Sequence, residues 1–313
     1  HSAHVWNDDD DDLFLRHIGA IALSNDDMKF HPTAAGLLMF GREYDIVREF
    51  PHYFLDYQEK LSTDTRWTHR IVSSSGDWSG NLYDFFFRVY PRITSDLPVP
   101  FVTNGKDRED DTKLHLAVRE VLLNSLAHAD HYGRQGIVVV KKEDSLSFSN
   151  PGDIRIGLKV AMQGGVSDPR NETIMKMFSH IDVGERAGSG IPDLMATWGK
   201  YLQTTPEYNI KQAPARTEVS LPYTIKALQE AGKLLAREKG GLSGGLSETE
   251  NGLKDGLADD RSGLSATAQA ILKLLDENPS MTYDDISARL GKARSGIAKH
   301  IKNLREKGFI KRP

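Results

Sequence analysis

The stretch KLHLAVREVLLNSLAH, residues 113–128, decides the fold of the middle of this chain. Five apolar residues and one serine recur there at intervals of three and four. This spacing places side chains on one face of an α-helix. They are Leu114, Ala117, Val118, Val121, Leu122 and Ser125. The pattern predicts an amphipathic helix that packs its apolar face on a core.

Three polar residues of the same stretch, Glu120, Asn124 and His128, stand four positions apart. Residues at this spacing follow one stripe of a helix, here away from the apolar face. Such a stripe suits a helix whose polar edge faces a binding site. A solvated helix face is the alternative that the spacing leaves open.

Segments on both sides predict a mixed fold. Residues 137–142, 145–150 and 217–222 have the composition of strands, with 143–144 as a hairpin turn. Residues 172–179 and 193–202 have helical spacing, as do 12–22 and 80–93. Residues 34–41 and 52–58 are predicted as two buried strands, or as a helix and a strand. Helices combined with antiparallel hairpins indicate the α+β class, in layers.

The last fifty residues read as a separate module. Residues 265–275, 283–290 and 293–308 have helical patterns, Gly291 turns the chain between the second and third, and FIKRP follows as a strand. This order resembles the winged helix-turn-helix domains of bacterial transcription regulators, in which the third helix enters the DNA major groove. Protein docking is the alternative use of such a module.

Charge supports contact between this module and double-stranded DNA. Residues 263–313 carry ten Lys and Arg against five Asp and Glu, so their net charge is +5 and the preceding part carries −9. A basic module on an acidic body is typical of a DNA-binding tail. The candidate DNA-binding residues are Lys292, Arg294, Ser295, Lys299, Lys302, Asn303, Lys311 and Arg312.

Composition excludes several classes of protein. The 313 residues are 39% hydrophobic and 27% charged, which excludes disorder of the whole chain. No apolar run is long enough for a membrane-spanning helix, and the absence of Cys excludes disulfides and thiolate metal sites. No P-loop motif is present, so a P-loop helicase motor is not expected. We expect a cytoplasmic bacterial protein.

Four further motifs follow the central helix in a fixed order. They are SNPGD at 149–153, VSDPRN at 166–171, GERAGSGI at 184–191 and TEVSLP at 217–222. With the Glu-x-x-x-Asn of the helix, the series resembles the nucleotide-binding (GHKL) fold shared by gyrase, histidine kinases and MutL. It resembles more closely a divergent branch found in transcriptional regulators. Their ATPase-like region is labelled RecG-related C-terminal, and it is followed by a winged helix.

The resemblance implies roles for residues at matching positions. Glu120 would act as the general base that polarises water, and Asn124 would hold Mg²⁺ through a nucleotide. Asn150 and Gly152 stand where the family has its adenine-binding Asp and first Gly; the Asp is replaced here and the second Gly is missing. An Asn amide can still accept from an amine.

Further cofactor-binding residues follow from the glycine-rich motif and the last strand. Gly184, Gly188, Ser189 and Gly190 would let backbone amides approach phosphate, and Arg186 would add a positive charge. Thr217 stands where the family has a Thr near the base. For Arg170 and Asn171 helix capping is an alternative to ligand contact. His128 and His131, beside Asp130, could form a metal-binding pair. Buried or capping roles are the favoured alternative for these two histidines.

The complete expectation is a GHKL-like α/β sandwich, preceded by a small α/β segment and followed by a winged helix-turn-helix. The divisions fall at 1–108 (an AlbA-associated remainder), 109–225 (ATPase-like), 226–264 (helix and Gly/Ser-rich linker) and 265–313. The expected function is a homodimeric DNA-binding transcriptional regulator with a sensor or dimerisation domain. The alternative is a weak nucleotide-hydrolysing ATPase that uses ATP and Mg²⁺ and acts on DNA or a protein partner.

Overall fold

The computed structural model describes residue 6, residues 9–62, 65–99, 111–183 and 190–240, and residues 271, 289 and 301. The chain divides into two compact units, His1–Gly245 and Leu246–Pro313. The first unit contains nearly all of the described residues and every element bounded below.

The N-terminal elements form a helical layer and two strands of a larger sheet. They are α1 (Asp11–His17), β1 (Ile21–Leu23), β2 (Phe30–Pro32), α2 (Ala34–Phe40), α3 (Glu43–Glu49), β3 (Leu55–Lys60), β4 (His69–Val72) and α4 (Leu82–Thr94). The predicted helix over 12–22 is too long. It ends at His17, Gly19 takes a positive φ of 81°, and β1 then pairs with β2 as a hairpin. The helix-and-strand alternative for 34–41 and 52–58 is the correct one.

The middle elements follow the predicted order. They are α5 (Lys113–Ala127), β5 (Ile137–Lys142), β6 (Ser145–Pro151), α6 (Leu158–Gln163), α7 (Glu172–Ser179), α8 (Gly190–Leu202), β7 (Glu207–Gln212), β8 (Ala215–Pro222) and α9 (Ile225–Gly240). The predictions for α5, β5, β6, α7 and β8 are confirmed. α6 and β7 were not predicted, because they are short or largely exposed.

One six-stranded sheet, in the order β4-β3-β5-β6-β8-β7, organises the first unit. β3 runs parallel to β5, and the other neighbouring pairs are antiparallel. Alternate sheet residues such as Tyr57, Phe148 and Leu221 are fully buried, together with Leu122 of α5 and Trp198 of α8. The mixed helix-and-sheet class is thus confirmed. The same sheet continues across the division expected at residue 108, and that division stays a prediction.

In the second unit three residues are described. Ile271, Arg289 and Ile301 are helical, and the two isoleucines are buried while Arg289 is exposed. This agrees with the inward positions predicted for Ile271 and Ile301. The Gly/Ser-rich linker, the turn at Gly291 and all eight candidate DNA-binding residues lie outside the described residues.

Candidate functional site

A cleft of about 960 Å³, including space open to solvent, lies beside the polar stripe of α5. It is bounded by α5, by β6 and the loop that follows it, by the start of α8, and by β7 and β8. Its polar lining residues include Glu120, Asn124, His128, Asn150 and Thr217. The cleft therefore brings together residues of α5 and of all four motifs that follow it, and the stripe on α5 faces a cavity.

Glu120 and Asn124 form a pair on consecutive turns of α5. Asn124 Nδ2 donates to Glu120 Oε1 at 3.0 Å. The first residue of α8, Gly190, lies against this pair: a Cβ there would be 2.7 Å from Glu120 Oε1 and 3.4 Å from Asn124 Nδ2. A residue without a side chain is required for this approach. Phosphate binding by Gly190 stays a prediction, and the structure gives this residue a packing role.

Asn150 and Thr217 lie opposite each other on the neighbouring strands β6 and β8. Both are buried, with exposed fractions of 5% and 7%. Asn150 Nδ2 donates to the carbonyl of Pro151 at 3.2 Å, and the Thr217 hydroxyl donates to the carbonyl of Gly152 at 2.9 Å. One N–H of the Asn150 amide is used internally, so its acceptor Oδ1 and its second N–H are left for a ligand, and Oδ1 can accept from a ligand amine.

Gly152 does not line the cleft, unlike the predicted cofactor-binding residues Asn124, Asn150 and Thr217. It has a positive φ of 92°, and a Cβ there would lie 3.2 Å from the guanidinium of Arg170. That guanidinium donates to Asp153 Oδ1 at 3.0 Å and to the carbonyl of His128 at 3.3 Å. Gly152 thus makes room for Arg170 behind the cleft wall.

Arg170 and Asn171 were considered as capping residues of α7. Asn171 holds the N-cap position, but its side chain makes no capping hydrogen bond. Its Nδ2 instead donates to the carbonyls of Ala127 and Ala129, at 3.0 and 2.7 Å. The side chain therefore ties the start of α7 to the end of α5.

Tyr208 of β7 also lines the cleft, although it was not predicted from the sequence. Burial, together with the nearby carboxylate of Glu120, raises the pKa of its phenol well above the usual range. Apolar residues complete the wall, among them Val121, Ile154 and Leu194. Tyr208 faces inward because alternate residues of β7 are partly buried, a weak signal in the sequence EYNIKQ.

The two histidines considered for metal binding have separate environments. His128 lines the cleft, and burial followed by the charge of Arg170 lowers its pKa. His131 is 8% exposed; its Nε2 donates to the Leu126 carbonyl at 3.1 Å. Within the part of the chain that the structure describes, no group of three or more His, Asp and Glu side chains is arranged to hold a metal ion.

The remaining predicted cofactor residues, Gly184, Arg186, Gly188 and Ser189, lie outside the described residues. Their roles stay predictions, as do those of the eight candidate DNA-binding residues. For the described helices, none has the length and apolarity needed to cross a bilayer.

Three family models match separate parts of the chain. Residues 1–56 match a domain of unknown function (DUF8451), and residues 135–220 match the model described as "Putative ATP-dependent DNA helicase recG C-terminal". Residues 264–311 match the winged helix-turn-helix DNA-binding model. The chain thus combines an ATPase-like middle region with a C-terminal winged helix-turn-helix. The N-terminal match is to a domain of unknown function and not to an AlbA-associated domain. The AlbA-associated segment expected there stays a prediction.

Comparison with solved structures gives the same general fold. The DIP2311 protein from Corynebacterium diphtheriae matches with a TM-score of 0.50 and 14% identity, over 96% of this chain and 54% of that one. At this identity the likeness concerns the fold alone, and the chain spans about half the length of that protein. Among curated proteins none matches the chain.

Proposed function

We propose that the protein is a DNA-binding transcriptional regulator whose ATPase-like region binds an adenine nucleotide as a sensor. One observation carries the nucleotide part: a single cleft gathers Glu120, Asn124, Asn150 and Thr217 from α5, β6 and β8. These segments are far apart in the sequence. In this proposal residues 109–225 form the sensor, 226–264 connect it, and 265–313 contact DNA.

The residues of the cleft fit the base end of a nucleotide. The Asn150 Oδ1 acceptor suits an exocyclic amine, and the apolar walls suit a planar ring. On α5, Asn124 supplies a side-chain oxygen of the kind that Mg²⁺ prefers. Mg²⁺ bound with a nucleotide would supply charge neutralisation at the phosphates.

Slow or absent turnover follows from the arrangement of Glu120. The amide of Asn124 donates to its carboxylate, and Gly190 packs on the same oxygen. A general base needs a lone pair within reach of water, and these contacts occupy part of the carboxylate. The second candidate function is a nucleotide-hydrolysing ATPase that acts on DNA or a partner. The presence of both Glu120 and Asn124 supports it, provided that the Glu120 carboxylate is released from these contacts.

Calorimetry of the full chain with ATP and Mg²⁺ tests the sensor. We expect binding that Asn150→Leu weakens at least about tenfold, because the buried acceptor is lost. Asn209→Leu, on the exposed strand β7, is the matched control. Absence of binding would remove the nucleotide from the proposal.

The two candidate functions differ in what Glu120→Ala does. For a sensor, DNA binding by this variant stays intact, and the wild-type hydrolysis rate is already close to background. If the variant abolishes both a measurable ATPase rate and the response of DNA binding to ATP, the ATPase candidate replaces the regulator.

DNA binding by the winged helix depends on counterion release. In a titration of duplex binding against salt, the logarithm of the association constant should fall with the logarithm of salt by about 0.9 for each phosphate contact. Lys299→Ala and Lys302→Ala should each reduce this slope. Lys226→Ala, an exposed lysine of α9, should leave it unchanged.

We also propose a homodimer, because two copies can read a two-fold symmetric DNA site. Light scattering of the full chain measures this directly. A monomer at all concentrations, on and off DNA, would contradict it.

A further inference from the structure

A second cavity lies on the other side of the wall formed by Arg170 and Asn171. Its volume is about 740 Å³, including open space, and it shares no lining residue with the cleft. It is lined by the start of α2, Phe50, the residues after α5 and the start of α7. We refer to it as the N-terminal cavity.

The start of α7 gives this cavity a site for a negative charge. Because the Asn171 side chain is bonded to Ala127 and Ala129, it does not cap the helix. Among the described residues, the amides of Thr173 and Ile174 have no acceptor. Uncapped amides at a helix start attract anions, and Arg170, which also lines the cavity, carries a positive charge that is paired with Asp153. Glu172 also lines the cavity, but it is an exposed residue.

His131 gives the cavity a hydrogen-bond acceptor. Its Nε2 carries the proton because the Leu126 carbonyl can only accept. The imidazole is buried between Phe50 and Tyr53, with ring centroids 6.4 and 6.3 Å away. Burial lowers the pKa of His131 to about 4, so the ring is neutral and Nδ1 is an acceptor. Among the described residues Nδ1 makes no hydrogen bond, and it is not one of the fully buried unpaired atoms, so it keeps some exposure and can accept from a ligand.

The rest of the cavity is apolar. Leu38, Phe50 and Ile174 are buried and line it, and Tyr132 lies at the exposed edge. A ligand that fills this space needs an apolar body between its charged end and its donor end.

We propose that the N-terminal cavity binds a small aromatic carboxylate that carries a ring hydroxyl group. The carboxylate accepts from the amides of Thr173 and Ile174 and from Arg170, and the hydroxyl donates to His131 Nδ1. The aromatic ring packs among Leu38, Phe50 and Ile174. This inference does not depend on nucleotide binding in the cleft.

The probe for the experiment is 4-hydroxybenzoate, titrated into the full chain in a calorimeter without nucleotide. Benzoate lacks the hydroxyl and phenol lacks the carboxylate. We expect each to bind at least about tenfold more weakly, since each loses one set of hydrogen bonds. Equal binding of the three compounds, or no binding of 4-hydroxybenzoate up to about 10 mM, would overturn the proposal.

Two variants test the position of the probe. Ala35→Phe fills the cavity and should weaken 4-hydroxybenzoate at least about tenfold, whereas Ala22→Phe, on the exposed face of β1, should not. His131→Phe should remove the preference for 4-hydroxybenzoate over benzoate. Unchanged binding in Ala35→Phe contradicts the site. If that variant does not fold, the compound series and His131→Phe decide the question.

Discussion

The cleft and the N-terminal cavity lie on opposite sides of one wall and differ in how their polar groups are satisfied. In the cleft, Asn124 bonds to Glu120 and Thr217 bonds to a neighbouring carbonyl. In the N-terminal cavity, the His131 acceptor and the first amides of α7 have no partner within the described residues. The difference teaches that motif residues can satisfy part of their own hydrogen bonding, as Asn124 and Thr217 do, whereas the polar groups of the N-terminal cavity depend on solvent or a ligand.

The largest effect that we predict concerns the buried imidazole of the N-terminal cavity. The unfolded chain takes up a proton on His131 near pH 6.5, but the folded chain does so only near pH 4. Stability therefore falls as the pH is lowered through this window, by about 3 kcal/mol from this group, and is unaffected by it above the window.

Urea unfolding of wild type and His131→Phe at several pH values measures this contribution. The variant should lose less stability between pH 8 and about pH 4.5 than the wild type. Data at pH 8, where the imidazole is neutral in both states, give the constant offset due to packing. Parallel pH curves for the two proteins would show that the imidazole titrates normally.

The second effect concerns the wall itself. Asn171→Ala removes the two side-chain hydrogen bonds to Ala127 and Ala129, and we expect a loss of about 2 kcal/mol because the Ala129 carbonyl loses its donor, while the Ala127 carbonyl keeps the Asn171 backbone amide. Asn209→Ala removes an exposed bond to Glu218 and should cost less than about 0.5 kcal/mol. Chemical unfolding measures both, and equal losses would mean that Asn171 does not hold the wall.

The third effect separates the two cavities. In Gly190→Ala the new Cβ displaces the Glu120 carboxylate, so ATP affinity should fall about tenfold while 4-hydroxybenzoate binding is unchanged. Gly199→Ala is the matched control, because a Cβ there meets no atom within 4 Å. Titration of both ligands makes the comparison. A parallel loss of both ligands would indicate a general disturbance.

The smallest effect concerns the ion pair between Asp153, which lines the cleft, and Arg170, which lines the N-terminal cavity. Asp153→Asn weakens the ion pair that draws Arg170 toward the cleft. Since the pair is partly exposed, its loss should cost less than about 1 kcal/mol, and 4-hydroxybenzoate should bind up to about threefold more tightly. Asp168→Asn, which faces Arg155 instead, is the control. Weaker binding in Asp153→Asn would show that Arg170 does not act on the carboxylate.

Much of the fold could be predicted because several segments are strongly periodic. The apolar spacing of α5 and the hairpin of β5 and β6 are examples, as are the inward positions of Ile271 and Ile301. The helix expected over 12–22 was wrong in length, because the left-handed conformation at Gly19 and the pairing of β1 with β2 override local propensity. Tyr208 was missed because a short edge strand has little pattern.

The sequence by itself determined the α+β class, the winged helix-turn-helix and the polar stripe of Glu120, Asn124 and His128, since local spacing fixes which side chains share a face. Only the tertiary structure decided that Gly190 packs on Glu120 and that Gly152 makes room for Arg170. It alone placed His131 beside the start of α7. These contacts join residues about 20 to 70 positions apart, and their distances depend on how whole elements pack, which no local pattern records.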